Sequence, residues 1–419
     1  MKERLHAMER LIYHIDVNNA FLSWEAIERL KEDANATDIR TIPSAICGDP
    51  EKRHGIILAK SPLAKKYNIV TGETVQNALR KYPDLKLFPP RYWIYEANSH
   101  KFHNLLKDYT DAIEPFSIDE AFLDMTSSFH LFGDKISTAY AIQERIYQEL
   151  GFTVNIGIST NKLLAKMASD FTKPNKVHTL FPDEIQKKFW PLPIENLLFA
   201  GRSTCSKLHL LGIHTIGDLA NMDSSCLQSH LGKNGLTLHE YANGIDKTPV
   251  VTERPDAKGY SNSTTIDHDV TTLTEARQIL LSLCETVGYR LRKEDVRASV
   301  VSVQMKDCFF KSKSKQCSLL EPTNHTQTLY QCACELFSSL WKQETPIRLL
   351  GLHATKIQKN DFVQMNLFET EQQKQNEQLD SALDQIRNKF GTNAIMRASF
   401  LNSDKTPMVD RISKHKQGW

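Results

Sequence analysis

The stretch Phe116-Ser117-Ile118-Asp119-Glu120-Ala121-Phe122-Leu123-Asp124 constrains this chain more than any other. Two adjacent carboxylates stand inside an apolar run. Burying unpaired carboxylates is expensive, so the pair must meet cations or water. Far upstream, Asp16 ends the apolar run Leu11-Ile12-Tyr13-His14-Ile15, which reads as a buried strand. Set side by side, the two strands bring three carboxylates together. Oxygen ligands on rigid strands suit Mg²⁺, which takes few protein carboxylates and completes its shell with water and phosphates. Two such ions are an apparatus for in-line phosphoryl or nucleotidyl transfer. The plainer alternative is that Asp119 and Glu120 cap a turn at a strand end. Neighbours on a regular strand point to opposite faces, so a shared site for these two requires irregular backbone.

Composition bounds the rest. The 419 residues suggest two to four domains. A net charge of +2 gives no global signal for nucleic acid, so any such surface is local. The eight cysteines form no CxxC pair and read as reduced thiols of a cytoplasmic chain. No signal peptide or membrane span is evident, and no membrane partner is expected.

After Asp16, the Asn18-Asn19 pair ends the strand and a helix follows, with Phe21 in its first turn. Its opening N–H groups suit a phosphate; core packing is the plainer fate of Phe21. Strands are expected at Ser44–Cys47 and Gly55–Ala59, then a helix opening at Ser61-Pro62 and carrying Lys65 and Lys66. A helix is expected from about Tyr95 to Ile113, another over Ala139–Leu150, a strand at Phe152–Ile158 and a helix over Ser159–Ser169. The order fits a split βαβ sheet of ferredoxin type. Pro174 holds Lys173 extended at a loop edge, where a lysine suits a triphosphate. Between Asn196 and Leu219, two short helices around a glycine turn suit a DNA phosphate.

A polar linker over Thr252–Gly259 leads to a further domain, with helices near Glu275–Lys293 and Thr326–Lys342 and strands at Ala298–Lys306 and Leu349–Ile357. Lys306, Lys311, Lys313 and Lys315 cluster near Phe309-Phe310 and suit a duplex backbone; a solvated charged face is the plainer account. Gln364-Met365-Asn366-Leu367-Phe368 is an apolar anchor able to dock in a groove. A polar stretch from Glu371 to Gln378 follows, then a helix over Leu379–Phe390.

Together, Ser117-Ile118-Asp119-Glu120-Ala121-Phe122, Gly157-Ile158-Ser159, Asn161-Lys162, Ala165-Lys166 and Lys173-Pro174 resemble the Y-family translesion DNA polymerases. The likeness is to the DNA polymerase IV and UmuC-like group, nearest the UvrX-like UV-damage-repair branch of Gram-positive bacteria. It covers nearly the whole chain. The resemblance implies an α/β, right-hand polymerase with a ferredoxin-like palm (1–19 and 91–180), small fingers (20–90) and a helical thumb with a helix-hairpin-helix (181–250). A linker (251–258), an α/β little finger (259–357) and a tail (358–419) complete it.

The same resemblance implies site residues. Asp16, Asp119 and Glu120, with the Val17 carbonyl, would hold two Mg²⁺ ions. Asn18, Asn19, Ala20, Phe21, Lys65 and Lys173 would meet the incoming deoxynucleoside triphosphate, Phe21 as a steric gate against ribose. Gly201, Arg202, Lys306, Lys311 and Lys313 would contact primer-template DNA. Gln364, Leu367 and Phe368 would bind the bacterial sliding clamp. A monomer without proofreading is expected. The chain departs from the family pattern at Asn18 and Asn19, at Ala59 and Pro62, where many members have threonine and tyrosine, and at Phe199, in place of the first thumb glycine. These departures admit a rival, a DNA-bound recruitment protein with a decayed site; a nucleotide cyclase shares only the palm plan.

Overall fold

Every side chain from Leu11 to Asn18 is buried, and the run Ile12–Val17 forms the central strand β1 of a five-stranded sheet. The computed structural model describes residues 10–359 and 371–400, apart from 52, 54, 254, 343 and 344. Gln364, Leu367 and Phe368 therefore lie outside the described residues. In chain order, α1 (Ala20–Glu32), β2 (Ser44–Cys47), β3 (Ile57–Lys60), α2 (Pro62–Lys66), α3 (Val75–Lys81) and β4 (Lys86–Phe88) follow β1. Next come α4 (Tyr92–Leu106), β5 (Ile113–Pro115), β6 (Glu120–Asp124), α5 (Lys135–Leu150), β7 (Val154–Ser159), α6 (Lys162–Ser169) and β8 (Val177–Thr179).

The large sheet runs β5-β6-β1-β7-β8, with β1 antiparallel to both neighbours. Alternation along β1 sends Tyr13, Ile15 and Val17 into a core shared with Trp24, Tyr95, Phe102, Ile142 and Ile156. It sends Ile12, His14 and Asp16 to the face covered by α6, where Ile12 meets Phe122 and Ala165. A close approach makes that cover possible. A Cβ on Gly157 of β7 would lie 2.0 Å from the Ala165 carbonyl oxygen, so only glycine lets α6 settle here. The α/β fold class read from the sequence holds.

Element ends differ from the expectations in instructive ways. The helix expected over 95–113 spans Tyr92–Leu106 instead. Thr110 breaks it by donating its hydroxyl to the Asp124 carbonyl, and Ile113 begins β5, paired with β6. The strand expected from Gly55 starts at Ile57, and the helix expected from Ser159 starts at Lys162, where Asn161 caps it.

Four short helices follow: α7 (Arg202–Leu210), α8 (Ile216–Asn221), α9 (Ser224–Leu231) and α10 (Lys233–Ala242). Gly212, at φ +77°, makes the turn between α7 and α8. The last region comprises β9 (Gly259–Val270), α11 (Leu273–Lys293), β10 (Val296–Asp307), β11 (Ser312–Thr323), α12 (Thr326–Leu340), β12 (Ile347–Lys359) and α13 (Glu371–Phe390). Its antiparallel sheet runs β11-β10-β12-β9. Val301, Val303, Leu350 and Leu352 face a core with Leu280 and Phe337 of α11 and α12. By contacts the chain divides into two compact units. One takes residues up to 46, 58–71 and 81–254; the other takes 47–57, 72–80 and everything after 254.

The polar stretch Glu371–Gln378 is helical, and the helix it opens is held by ion pairs. Arg292 of α11 bonds Asp384 at 2.6 Å and Asp380 at 3.2 Å. Glu285, fully buried, takes Arg387 and Arg397. Removing one partner of a buried pair strands the other charge. Glu285→Ala should therefore lower stability by about 3–5 kcal/mol, measured by urea unfolding. Adding Arg387→Met should recover most of that loss; a loss below 1 kcal/mol would show that the network carries little.

Candidate active site

β6 pairs with β1 in the register Asp16↔Glu120, which puts these carboxylates on adjacent strands and the same, α6-covered face. Asp119 sits just before the strand, in a bend. Phe116 N–H and Ser117 N–H both donate to the Glu120 carbonyl, at 2.9 and 3.2 Å. Val17 N–H donates to the Asp119 carbonyl at 3.0 Å. This last bond fastens the bend to the end of β1. The backbone is irregular at Asp119, the irregularity that the sequence reading required of a shared site.

Two lysines enter from the α6 side. Lys166 Nζ lies 3.0 Å from Glu120, 3.4 Å from Asp16 and 3.3 Å from Asp170. Lys173 Nζ lies 2.8 Å from Asp16 and 2.9 Å from Asp170. On its other side Glu120 meets His14 Nε2 at 3.1 Å, and His14 Nδ1 meets the Ser169 hydroxyl at 2.8 Å. Nε2 donates to the Glu120 carboxylate, and the Ser169 hydroxyl beside Nδ1 itself donates to the Lys166 carbonyl at 2.8 Å. Among the described residues, no three His, Cys, Asp or Glu side chains close around a common point; the lysines stand among the carboxylates instead.

Electrostatics separate these groups. Burial raises the Asp119 carboxyl, and the negative charges of Asp16 and Glu120 add to it; a Ser117 hydroxyl bond at 2.7 Å only partly offsets them. Burial works the same way on Glu120, but the His14 bond and the Lys166 charge outweigh it and hold Glu120 at about 2. Burial lowers His14, with Lys166 contributing. Burial also disfavours charge on Lys166 and Lys173, yet both are raised because Asp16 and Asp170 face them. The site is a partly buried ion cluster in which, among the described residues, Asp119 has no cation partner.

The remaining candidates divide. Asn18 does not face outward: its Oδ1 accepts from Asn175 N–H at 2.8 Å and Thr153 Oγ1 at 3.0 Å, and its Nδ2 donates to Asn155 at 3.2 Å. Asn155 in turn holds the carbonyls of Ser169 and Thr172. Asn18 thus braces the loop that presents Lys173. Asn19 is exposed at the helix N-cap in left-handed backbone, and Ala20 is buried behind it. Phe21 is half-buried and stacks on Tyr95, with ring centroids 4.5 Å apart and planes 13° apart. Lys65 is exposed on α2. Pro62 opens that helix, with Ser61 as cap, and Ala59 is buried in the small core beside β2.

Gly201 and Arg202 are exposed at the start of α7. The lysines near Phe309 are not brought together. Lys306 shares the open face of its sheet with Ser302 and Gln304, whereas Lys313 pairs with Met305 on the helix-covered face. Lys315, on that same face, bonds Ser339 of α12 at 2.9 Å. Lys311 lies in the exposed turn. What the open face offers was not anticipated. Ser261, Ser263, Thr265, Gly351, His353, Thr355, Ser302, Gln304 and Gln316 line it by register, without an acidic side chain among them. Lys166, His14 and Asp170 were also missed; the signal was a lysine at a position that helical periodicity makes apolar.

Residues 15–170 match the model of the impB/mucB/samB family, and residues 257–367 that of the impB/mucB/samB family C-terminal domain. Residues 200–246 match the DNA polymerase-iota thumb domain. The DNA polymerase IV of Clostridium acetobutylicum is 43% identical over 398 residues, covering 95% of this chain and 100% of that protein. The DNA polymerase IV 2 of Bacillus subtilis is 36% identical, covering 94% of this chain and 95% of that protein. A solved structure, a Y-family DNA polymerase chimera of Dbh and Dpo4, superposes with a TM-score of 0.72 at 23% identity, covering 84% of this chain and 100% of the other.

Proposed function

Because this chain belongs to the Y-family of DNA polymerases, in the DNA polymerase IV group, and is a DNA-directed DNA polymerase of translesion type, we propose that it extends primers through Asp16, Asp119 and Glu120. These residues, with the Val17 carbonyl, would hold two Mg²⁺ ions. The donor set fits: all are hard oxygens, and Asp119 is raised by burial and by carboxylates that a cation would neutralise. Held by these residues, such ions would supply Lewis-acid chemistry: a lowered pKa for the primer 3′-hydroxyl and charge neutralisation for the pyrophosphate. The observation that supports the reading is the Val17–Asp119 backbone bond, which fastens the bend carrying Asp119 to the end of β1, beside Asp16.

The protein's own groups do the rest. Lys173, on its braced loop, turns from Asp16 to the triphosphate, and Lys65 approaches it from α2. Phe21, backed by Tyr95, stands against the sugar and excludes a 2′-hydroxyl. Asn19 and Ala20 offer the opening N–H groups of α1 to phosphate, while Asn18 serves as a brace. The palm comprises 1–19 and 91–180, the fingers 20–90, the thumb 181–250, the linker 251–258 and the little finger 259–357. The segment 358–419 is read as a tail, of which α13 is the described helix. Gly201 and Arg202 hold a backbone phosphate, and Lys306 and Lys311 meet the duplex with the open, Ser- and Thr-bearing face of the β9–β12 sheet; Lys313 assists only from the sheet's other side.

The enzyme acts in the cytoplasm as a monomer and does not proofread. Among the described residues no helix is long and apolar enough to cross a membrane. Primer extension past a defined template lesion tests the reading. Product in Mg²⁺ and none in chelator is expected; metal-independent extension would overturn it.

Gln364, Leu367 and Phe368 dock on the sliding clamp. Tethering raises apparent affinity by ~10²–10⁴, so Leu367→Ala with Phe368→Ala should cut clamp-stimulated synthesis about tenfold or more while sparing clamp-free synthesis. An equal fall in both would make the peptide structural.

A further inference from the structure

Lys166 is an unusual residue to bury. Its side chain is 9% exposed, on the face of α6 that packs against β1 and β7, and it touches three carboxylates rather than one. Gly157 sets its depth, since any Cβ there would lift α6 from the sheet. Lys173 differs: its side chain is 36% exposed and it sits at a loop edge, sharing Asp16 and Asp170 with Lys166. One lysine is fixed in the cluster and the other can leave it. Asp170 joins them, being the only one of their shared carboxylates not assigned to the ions.

We propose that Lys166 is a positioning residue, a built-in counter-cation that holds Glu120 and Asp16 in place and keeps the empty carboxylate cluster from binding divalent ions tightly. The proposal rests on the metal reading of Asp16, Asp119 and Glu120. Its logic is charge balance. Before substrate arrives, two lysines neutralise Asp16 and Glu120, so a lone divalent ion meets a weakly negative site. A nucleotide triphosphate brings its own negative charge and draws Lys173 away from Asp16. The carboxylates regain net negative charge as the substrate enters, and ion and nucleotide then bind together. Lys166 stays and fixes the Glu120 carboxylate between itself and His14.

The test is Mn²⁺ binding to the nucleotide-free protein, read from loss of the free-ion electron paramagnetic resonance signal. Lys166→Met should bind Mn²⁺ about tenfold or more tighter than the parent, since a unit charge at this range is worth at least that much. Primer extension by the same variant should fall, because Glu120 loses its second anchor. Lys166→Arg, which keeps the charge, should return Mn²⁺ affinity towards the parent value. A simply structural lysine would weaken both binding and extension. Unchanged or weaker Mn²⁺ binding in a Lys166→Met protein with normal circular dichroism would overturn the proposal. Should that variant not fold, Asp170→Asn decides: without Asp170 both lysines turn fully to Asp16 and Glu120, so Mn²⁺ binding should weaken, and unchanged or tighter binding would overturn the proposal. Asp16→Asn separates the two layers. If it binds Mn²⁺ as well as the parent, the metal reading itself fails, whatever Lys166 does.

Discussion

Asp119→Ala should reduce primer extension by about a hundred-fold or more, the loss seen when one group stabilising transition-state charge is removed. DNA affinity should change little, since Asp119 is assigned to the ions and not to the DNA backbone. Single-turnover extension and a primer-template binding titration give the two numbers; extension at the parent rate would remove Asp119 from the chemistry. Stability should move the other way. The Asp119 carboxyl is raised by burial and by its acidic neighbours, so its ionised form opposes folding. A raised group contributes stability that is complete below its unfolded value and lost as pH rises through the folded one. In chelator at neutral pH, Asp119→Asn should therefore be more stable than the parent by about 0.5–2 kcal/mol. The gain should vanish as pH falls below the ordinary carboxylate range. Thermal melts across that range check the sign, and an equal gain at all pH values would point to packing instead.

The second large effect is on sugar choice. Phe21→Ala should raise ribonucleotide incorporation relative to deoxyribonucleotide by about 10–200-fold, the range a mis-sized group in a pocket is worth. The reason is rigidity. Phe21 stacks on Tyr95 and meets the Tyr92 ring edge-on, with centroids 6.3 Å apart, so it cannot swing aside to admit a 2′-hydroxyl. Phe21→Tyr keeps the ring and should keep the selectivity. Paired kinetics with each sugar, corrected for the melting temperature of each variant, make the comparison. Unchanged selectivity in Phe21→Ala would leave Phe21 a packing residue.

The strands that carry the site were legible because their physics is local. Ile12 to Val17 is mostly apolar, and Asp16 and Glu120 stand out as charges that such runs do not tolerate alone. Asp119 and Glu120 together even announced the broken strand. What stayed hidden depends on partners distant in sequence. Lys166 looks like one polar residue on an amphipathic helix until β1 brings Asp16 beneath it. Strands β9 and β11 escaped notice because one face of their sheet is open, so Ser, Thr and Lys dilute the apolar alternation. The lysines near Phe309 illustrate the same limit. Their sequence spacing suggested a cluster, and only the pairing of Met305 with Lys313 reveals opposite faces. The helix from Glu371 carries few apolar residues, and beside the buried Leu383 it is held by ion pairs to α11 that its own sequence does not reveal.

The bond from Val17 N–H to the Asp119 carbonyl has a consequence for how the site comes into being. It joins segments about a hundred residues apart, and it uses a backbone amide at the end of a strand paired on both sides. No fragment holding only one strand can assemble the three carboxylates. That amide proton should exchange with solvent only when the sheet itself opens. Its exchange rate therefore reports, atom for atom, the fraction of molecules in which a reactive centre exists at all.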